Sequence, residues 1–311
     1  MTSAPTQVIY LGGIGRSGST LLERLLGEVP GVVPLGEVVH LWSRGAGDGE
    51  PCGCGVRFPE CPFWREVGDR AFGGWSRQLT DRVITLRHRV DRTRRIPPRR
   101  SADLLEYGAA YQRLYAAAGD VAQCPIVIDS SKHASLAFCL VAAGMEILVV
   151  QVVRDPRGVA HSWRKHVVRP ETGTPMTRWG PARTSLHWAA QNLALEFLAA
   201  RGVRVIRVRY EDLLDSPRRT LARLLIRLHL APRLEFVTGH QARLGVAHTS
   251  SGNPMRFMAG TVDLTLDESW RAAMPRGDRW LVTALTWPLL LRYGYRLRSR
   301  PPTCGTREAV A

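Results

Sequence analysis

The stretch Val8-Ile-Tyr-Leu-Gly-Gly-Ile-Gly-Arg-Ser-Gly-Ser-Thr-Leu-Leu22 decides the fold. Val8–Gly12 is a short apolar run of the kind buried inside a sheet. It breaks into Gly12-Gly-Ile-Gly-Arg-Ser-Gly-Ser-Thr20, and an amphipathic helix is predicted to follow over about Ser19–Val29. Four residues separate Gly13 from Gly18. At that spacing, glycines let successive backbone N–H groups approach an anion closely. The N-terminus of the next helix adds a partial positive charge. A strand, a glycine loop and a helix in this order read as a phosphate cradle.

Working outward, the same strand–turn–helix unit recurs. Ile126–Asp129 precedes a helix over about Ser135–Ala143. Glu146–Val153 precedes a helix from about Arg157. Val203–Arg209 precedes Tyr-Glu-Asp-Leu and a helix over about Pro217–Leu228. The alternation predicts an α/β fold: one P-loop-like domain over residues 1–311, with a central parallel sheet flanked by helices. Arg44–Gly74, rich in Gly, Pro and Cys, reads as irregular. Leu79–Arg95 and Leu104–Ala118 carry helical periodicity, so residues 44–100 form an irregular and helical insertion. Leu244–Val262 reads as a polar loop, Thr283–Tyr293 as a closing helix, and 296–311 as a flexible tail.

The 311 residues are 45% hydrophobic and 23% charged, which excludes a disordered, collagen-like or coiled-coil chain. The net charge of +16 points to an anionic partner without naming one. Only Lys132 and Lys165 are lysines, so a GC-rich coding bias explains the arginines as readily as a selected surface does. The basic run Arg87–Arg100 has little aromatic interleaving and reads as a solvated helix face, not a nucleic-acid patch. Met1–Gln7 lacks the charge and apolar core of a signal peptide, and runs such as Ile147–Val153 are too short to span a bilayer. The expectation is a cytoplasmic protein with no integral membrane segment. Cys52, Cys54 and Cys61 cluster, but a zinc site wants a fourth ligand and usually C-x2-C spacing, so they read as a buried or stapled loop with no metal. Cys124 and Cys139 read as core.

The departure from a nucleotide-triphosphate P-loop matters more than the match. Such a loop places Lys directly after the second glycine, where it reaches the β and γ phosphates. Here Ser19 stands there, and the basic group is Arg16 inside the loop. That suits a donor with one 5′-phosphate carrying a transferable group. Gly-Gly-Ile-Gly-Arg-Ser-Gly-Ser-Thr-Leu-Leu resembles the 5′-phosphosulfate loop of sulfotransferases that use 3′-phosphoadenosine-5′-phosphosulfate (PAPS). The likeness is strongest to the branch that includes tyrosylprotein and many bacterial sulfotransferases. The resemblance implies that Gly15, Arg16, Ser17, Gly18, Ser19 and Thr20 hold the 5′-phosphosulfate. Leu148-Val-Val-Gln-Val-Val-Arg-Asp-Pro-Arg-Gly-Val-Ala-His-Ser162 resembles the 3′-phosphate site, with Arg154 and Ser162 as the clamp. Ile206-Arg-Val-Arg-Tyr-Glu-Asp-Leu resembles the segment whose tyrosine, here Tyr210, packs near the nucleotide. His248-Thr-Ser-Ser-Gly-Asn-Pro-Met-Arg-Phe257 resembles the late closing loop, with Ser250, Ser251, Gly252 and Arg256 as contacts.

Sulfuryl transfer needs an aligned acceptor, a base, and cations on the sulfonate and the leaving phosphate. The resemblance implies Glu37, in Leu35-Gly-Glu-Val, as the base, with His40 as its rival and His133 and His161 behind. It places Arg16 on the leaving phosphate and Lys132, in Ile128-Asp-Ser-Ser-Lys, near the bridging oxygen. The implied reaction moves a sulfuryl group from PAPS to a hydroxyl, or in second place an amine, of a small-molecule, glycan or lipid-linked acceptor. PAP is released and no metal is required. Trp42, Trp163, Trp179 and Trp188 either line an acceptor cleft or belong to the core, and a homodimer is left open. Two alternatives stand beside this reading: a P-loop small-molecule kinase, for which Ile126-Val-Ile-Asp129 would be a Walker-B strand, and a non-catalytic nucleotide- or nucleic-acid-binding protein.

Overall fold

The computed structural model describes residues 6–168 and 173–297. Five parallel strands form the central sheet: β1 (Gln7–Gly13), β2 (Val32–Pro34), β3 (Ile126–Lys132), β4 (Ile147–Val153) and β5 (Val205–Arg209), in the order β2-β3-β1-β4-β5. Side chains alternate across β1. Val8 and Tyr10 enter one core, and Ile9 and Leu11 enter the other. This two-sided burial is why the strands read as continuous apolar runs.

Helix α1 (Ser19–Leu26) follows the first loop, and a short turn α2 (Val38–His40) leads into π-helical turns over Leu41–Gly47. Then come α3 (Pro62–Phe72), α4 (Arg77–Val90), α5 (Ala102–Ala122), α6 (Ala134–Ala142), α7 (Pro156–Arg164) and α8 (Pro181–Ala200). The chain continues through α9 (Tyr210–Asp215), α10 (Pro217–Arg227), α11 (Trp270–Ala273) and α12 (Arg276–Arg292). α1 and α10 cover the Ile9/Leu11 face, while α3, α4, α5 and α6 pack with the Tyr10 face. A small antiparallel sheet of β6 (Val237–Thr238), β7 (Gln241–Leu244) and β8 (Gly260–Asp263) extends the first of these cores.

Three expectations change. Arg44–Gly74 is only half irregular: Pro62 starts a helix whose Phe63, Trp64 and Val67 are buried. Trp64 stacks on Phe58, and Trp42 meets Phe72, Trp75 and Tyr111 edge-on, so aromatic rings join this segment to the core on the Tyr10 face. Leu244–Val262 is not loop throughout, because it begins in β7 and ends in β8. The first residues of the expected tail are tied down, since Arg157 donates to the carbonyls of Arg296 and Leu297. The rest of it, residues 298–311, lies outside the described residues. No described helix is long and apolar enough to cross a membrane.

Strand register positions the site. Gly12 stands opposite Lys132, Gly13 opposite Val152, and Val153 opposite Arg209. The carboxyl ends of β1, β3, β4 and β5 therefore lie level. The connection from β1 runs toward one edge of the sheet, to β2, and that from its neighbour β4 toward the other, to β5, and such a reversal is where open α/β sheets bind ligands.

Candidate active site

The glycine loop is built around two left-handed residues. Arg16 has φ 72° and Gly18 has φ 87°. A Cβ on Gly18 would lie 2.2 Å from the Tyr210 ring, so Tyr210 forms one wall of the loop and only glycine fits against it. The Gly15 carbonyl accepts from Trp163 Nε1 at 3.0 Å, and the Arg16 carbonyl accepts from Arg154 Nη1 at 3.0 Å. Arg154 also lies over the Tyr210 ring, 4.4 Å from its centroid, and 3.7 Å from the Asp267 carboxylate. β4, α7, α9 and the Asp267 segment thus converge on one loop. Ser162 sits on α7, about two helical turns beyond Arg154.

β2, at the sheet edge, delivers Glu37 to the same place, and β3 delivers Lys132. Lys132 has φ 71°, a strained conformation for a side-chain-bearing residue, of a kind that clusters at functional sites. Its Nζ donates a short, charged hydrogen bond to Glu37 Oε1. His40 Nε2 stands 3.7 Å from Glu37 Oε2. Burial raises the Glu37 pKa, but Lys132 and His40 outweigh it and hold the carboxyl down at about 2. Burial drives the His40 imidazole down to about 3 against the pull of Glu37, so His40 is neutral near pH 7. Burial lowers Arg16 as well, and the nearby Glu37 charge opposes the fall.

The late segment closes over Glu37. Ser250 N–H donates to the Leu35 carbonyl at 2.9 Å, and Glu37 N–H donates to the Ser251 carbonyl at 3.2 Å. Gly252 has φ 137°, and a Cβ there would sit 3.1 Å from Glu37 Oε1. The hydroxyls of Ser17, Ser250 and Ser251 are buried without a hydrogen-bond partner among the described residues. Buried hydroxyls of that kind fit a polyanionic ligand. Arg256 is placed differently from Ser251 and Gly252. It is 1% exposed, and its Nη1 donates to the carbonyls of Pro51 and Thr249.

The expected residues Gly15, Arg16, Gly18, Arg154 and Tyr210 form one set of contacts and Glu37, Lys132, Ser251 and Gly252 another, side by side through the pairing of Gly12 with Lys132, with Ser17 buried between Arg16 and Gly18. Ser19 and Thr20 open α1, where both are buried. Asp129 turns inward. Its Oδ2 accepts from Tyr115 OH at 2.5 Å and its Oδ1 from Ser131 N–H at 2.7 Å, so it is occupied within the fold and does not face the loop as a metal-binding acid would. The tryptophans divide. Trp42 and Trp188 are core, whereas Trp163 and Trp179 stack at 4.0 Å, with Arg16 5.8 Å from the Trp163 ring.

Several positioning residues gave no local signal in the sequence. Glu23 accepts from Gly36 N–H and from Ser130 Oγ, each at 2.7 Å, joining α1 to both segments that carry Glu37 and Lys132. Arg24 donates to the carbonyls of Arg256 (2.6 Å), Gly245 (2.5 Å) and Met258 (2.9 Å), holding the late segment down. His248 comes within 3.3 Å of Cys61 Sγ and 3.7 Å of Cys52 Sγ, adding to the cysteine cluster a nitrogen almost two hundred residues away in sequence.

Comparison with solved structures gives the class of fold. The sulfotransferase domain of the Synechococcus PCC 7002 olefin synthase superposes with a TM-score of 0.53 at 20% identity, covering 95% of this chain and 98% of that one. A sulfotransferase domain from the curacin biosynthetic pathway superposes with a TM-score of 0.50 at 18% identity, covering 95% and 99%. No protein-family model matches the chain, and no curated protein matches it by sequence. The chain has the fold of sulfotransferase domains, over nearly the full length of both neighbours.

Proposed function

We propose that the protein is a sulfotransferase that moves the sulfuryl group of PAPS to an acceptor hydroxyl and releases PAP. The observation that carries this reading is the Lys132–Glu37 ion pair at the mouth of a glycine loop with Arg16 inside it and Ser19 in place of the P-loop lysine. The loop N–H groups and Arg16 hold the 5′-phosphosulfate, and Arg154 with Ser162 holds the 3′-phosphate. Tyr210 packs beside them. Ser251 and Gly252 close over the sulfonate, and Arg256 acts indirectly, by fixing the carbonyls of that closing segment.

In the reaction, the bond between sulfur and the bridging 5′-phosphate oxygen breaks as the acceptor oxygen bonds to sulfur. The acceptor proton passes to Glu37, and the electron pair stays on the phosphate of PAP, stabilised by Arg16 and Lys132. Glu37 paired to Lys132 is ionised but weakly basic. When the donor draws Lys132 toward its bridging oxygen, Glu37 loses its strongest countercharge, and burial raises its basicity. Donor binding therefore readies the base.

The acceptor approaches from the Trp163/Trp179 side, and a small metabolite or glycan hydroxyl suits that flat aromatic edge. Incubation with radiolabelled PAPS and a panel of alcohol, sugar and phenol acceptors tests the reading. We expect label to move to a hydroxyl-bearing acceptor with stoichiometric PAP. A protein that neither binds PAP nor transfers label would contradict it.

A further inference from the structure

We propose that Cys52, Cys54, Cys61 and His248 form a structural zinc site that clamps the late segment to the chain around residues 52–61. The proposal does not rest on the sulfuryl-transfer reading. The four ligand atoms all lie within 4.8 Å of one another. Cys54 Sγ to Cys61 Sγ is 3.8 Å, Cys61 Sγ to His248 Nδ1 is 3.3 Å, and Cys52 Sγ to His248 Nδ1 is 3.7 Å. Tetrahedral zinc, with bonds of about 2.3 Å to sulfur and about 2.0 Å to nitrogen, sets S···S edges near ~3.8 Å and S···N edges near ~3.5 Å. These three of the six edges lie within a few tenths of an ångström of such a tetrahedron, and the other three are no longer than 4.8 Å. A disulfide needs its sulfurs at about 2.05 Å, well inside the Cys54–Cys61 separation.

The surroundings fit thiolate ligands. Cys61 stands at the N-terminus of α3, where the helix's partial positive charge favours a thiolate. Phe63 stacks on the His248 ring at 5.1 Å and fixes its plane, while Cys52 and Cys61 are fully buried. The C-x-C spacing that disfavours a site in the sequence is accommodated because the chain turns tightly at 52–55, where Gly55 N–H donates to the Cys52 carbonyl at 2.8 Å. Gly53 N–H also donates to the Thr249 carbonyl at 2.8 Å, so the ligand-bearing segments already abut. His248 lies three residues before Ser251, whose carbonyl holds Glu37 N–H. Zinc here would fix the wall of the Glu37 site from behind, without touching the ligand.

The test is metal analysis of the full chain purified without chelator, followed by exchange of the bound metal for cobalt. The expected result is about one zinc per chain, and a cobalt form with the intense visible bands and thiolate charge-transfer band of tetrahedral sulfur-rich coordination. Cys61→Ser and His248→Ala should drop the zinc content to below about a tenth per chain and lower the melting temperature, whereas His248→Cys should retain the metal. Cys124→Ser, outside the cluster, should change neither. If the cluster variants do not fold, the zinc content and cobalt spectrum of the unaltered chain decide. A chain that takes up neither metal, or a Cys54–Cys61 disulfide in a peptide map, would overturn the proposal. So would undiminished zinc in a folded Cys52→Ser/Cys61→Ser variant.

Discussion

Glu37 and Lys132 form a buried ion pair in which each residue masks the other. Glu37→Gln removes the proton acceptor but keeps its shape, so turnover should fall by about 10²–10⁴ while PAP affinity holds. Steady-state rates alongside a PAP titration check this, and unchanged turnover would remove Glu37 as the base. Lys132→Met should cost about 10²–10³ in turnover through the lost stabilisation of the leaving oxygen. It should also move the acid limb of the kcat/KM profile to higher pH, because burial of Glu37 is then opposed by less positive charge. An unmoved limb would show that the pair is not coupled in the free enzyme. Glu23 behaves in the opposite way. Burial raises its pKa from 4.5 to about 7, against the hydrogen bonds from Ser130 and Gly36. The folded state therefore holds the Glu23 proton more tightly than the unfolded chain. The resulting stability is fully present below about pH 4.5 and is lost as pH rises through about 7. Denaturant midpoints measured across that window should decline for the unaltered chain and decline less for Glu23→Gln. Identical slopes would place the titration elsewhere.

At the scale of elements, the loop between β1 and α1 was legible because its glycines are spaced by what the backbone must do. Gly18→Ala tests this directly. The left-handed conformation alone costs a side-chain-bearing residue about 1–2 kcal/mol, and the new Cβ would collide with Tyr210. Both PAP affinity and melting temperature should fall, and unchanged PAP affinity would separate the loop from the nucleotide. The strands were legible for a related reason: a strand buried on both faces writes itself as an unbroken apolar run. Helix α8 was not, because its buried residues include Thr184, Ser185 and Asn192, and the polar ones blur the apolar stripe. Helix α3 was hidden within a Gly-, Pro- and Cys-rich stretch, although Pro62 at its first turn suits a helix start. Glu23 and Arg24 escaped notice because their partners lie 13 to 234 residues away, and no local pattern marks a side chain whose work is to hold a distant carbonyl or amide. His248 is the extreme case: three cysteines suggested a cluster, but only the fold brings the fourth atom to them.

For the whole molecule, the +16 charge that opened the question of an anionic partner comes almost entirely from arginines. Arg16, Lys132 and Arg154 carry the account. They come from three strand ends brought level by the register of β1, β3 and β4, and under the proposed function they serve one polyanion together. Sulfotransferase domains align with the chain over nearly their full length and share its fold. The central claim is that this site takes a nucleotide with a 5′-phosphate and a 3′-phosphate. Calorimetric titration of the unaltered chain with PAP, and separately with ATP and magnesium, tests it most directly. The account predicts saturable binding of one PAP per chain, indifferent to magnesium, with ATP far weaker. Tight, magnesium-dependent binding of ATP with no binding of PAP would contradict it.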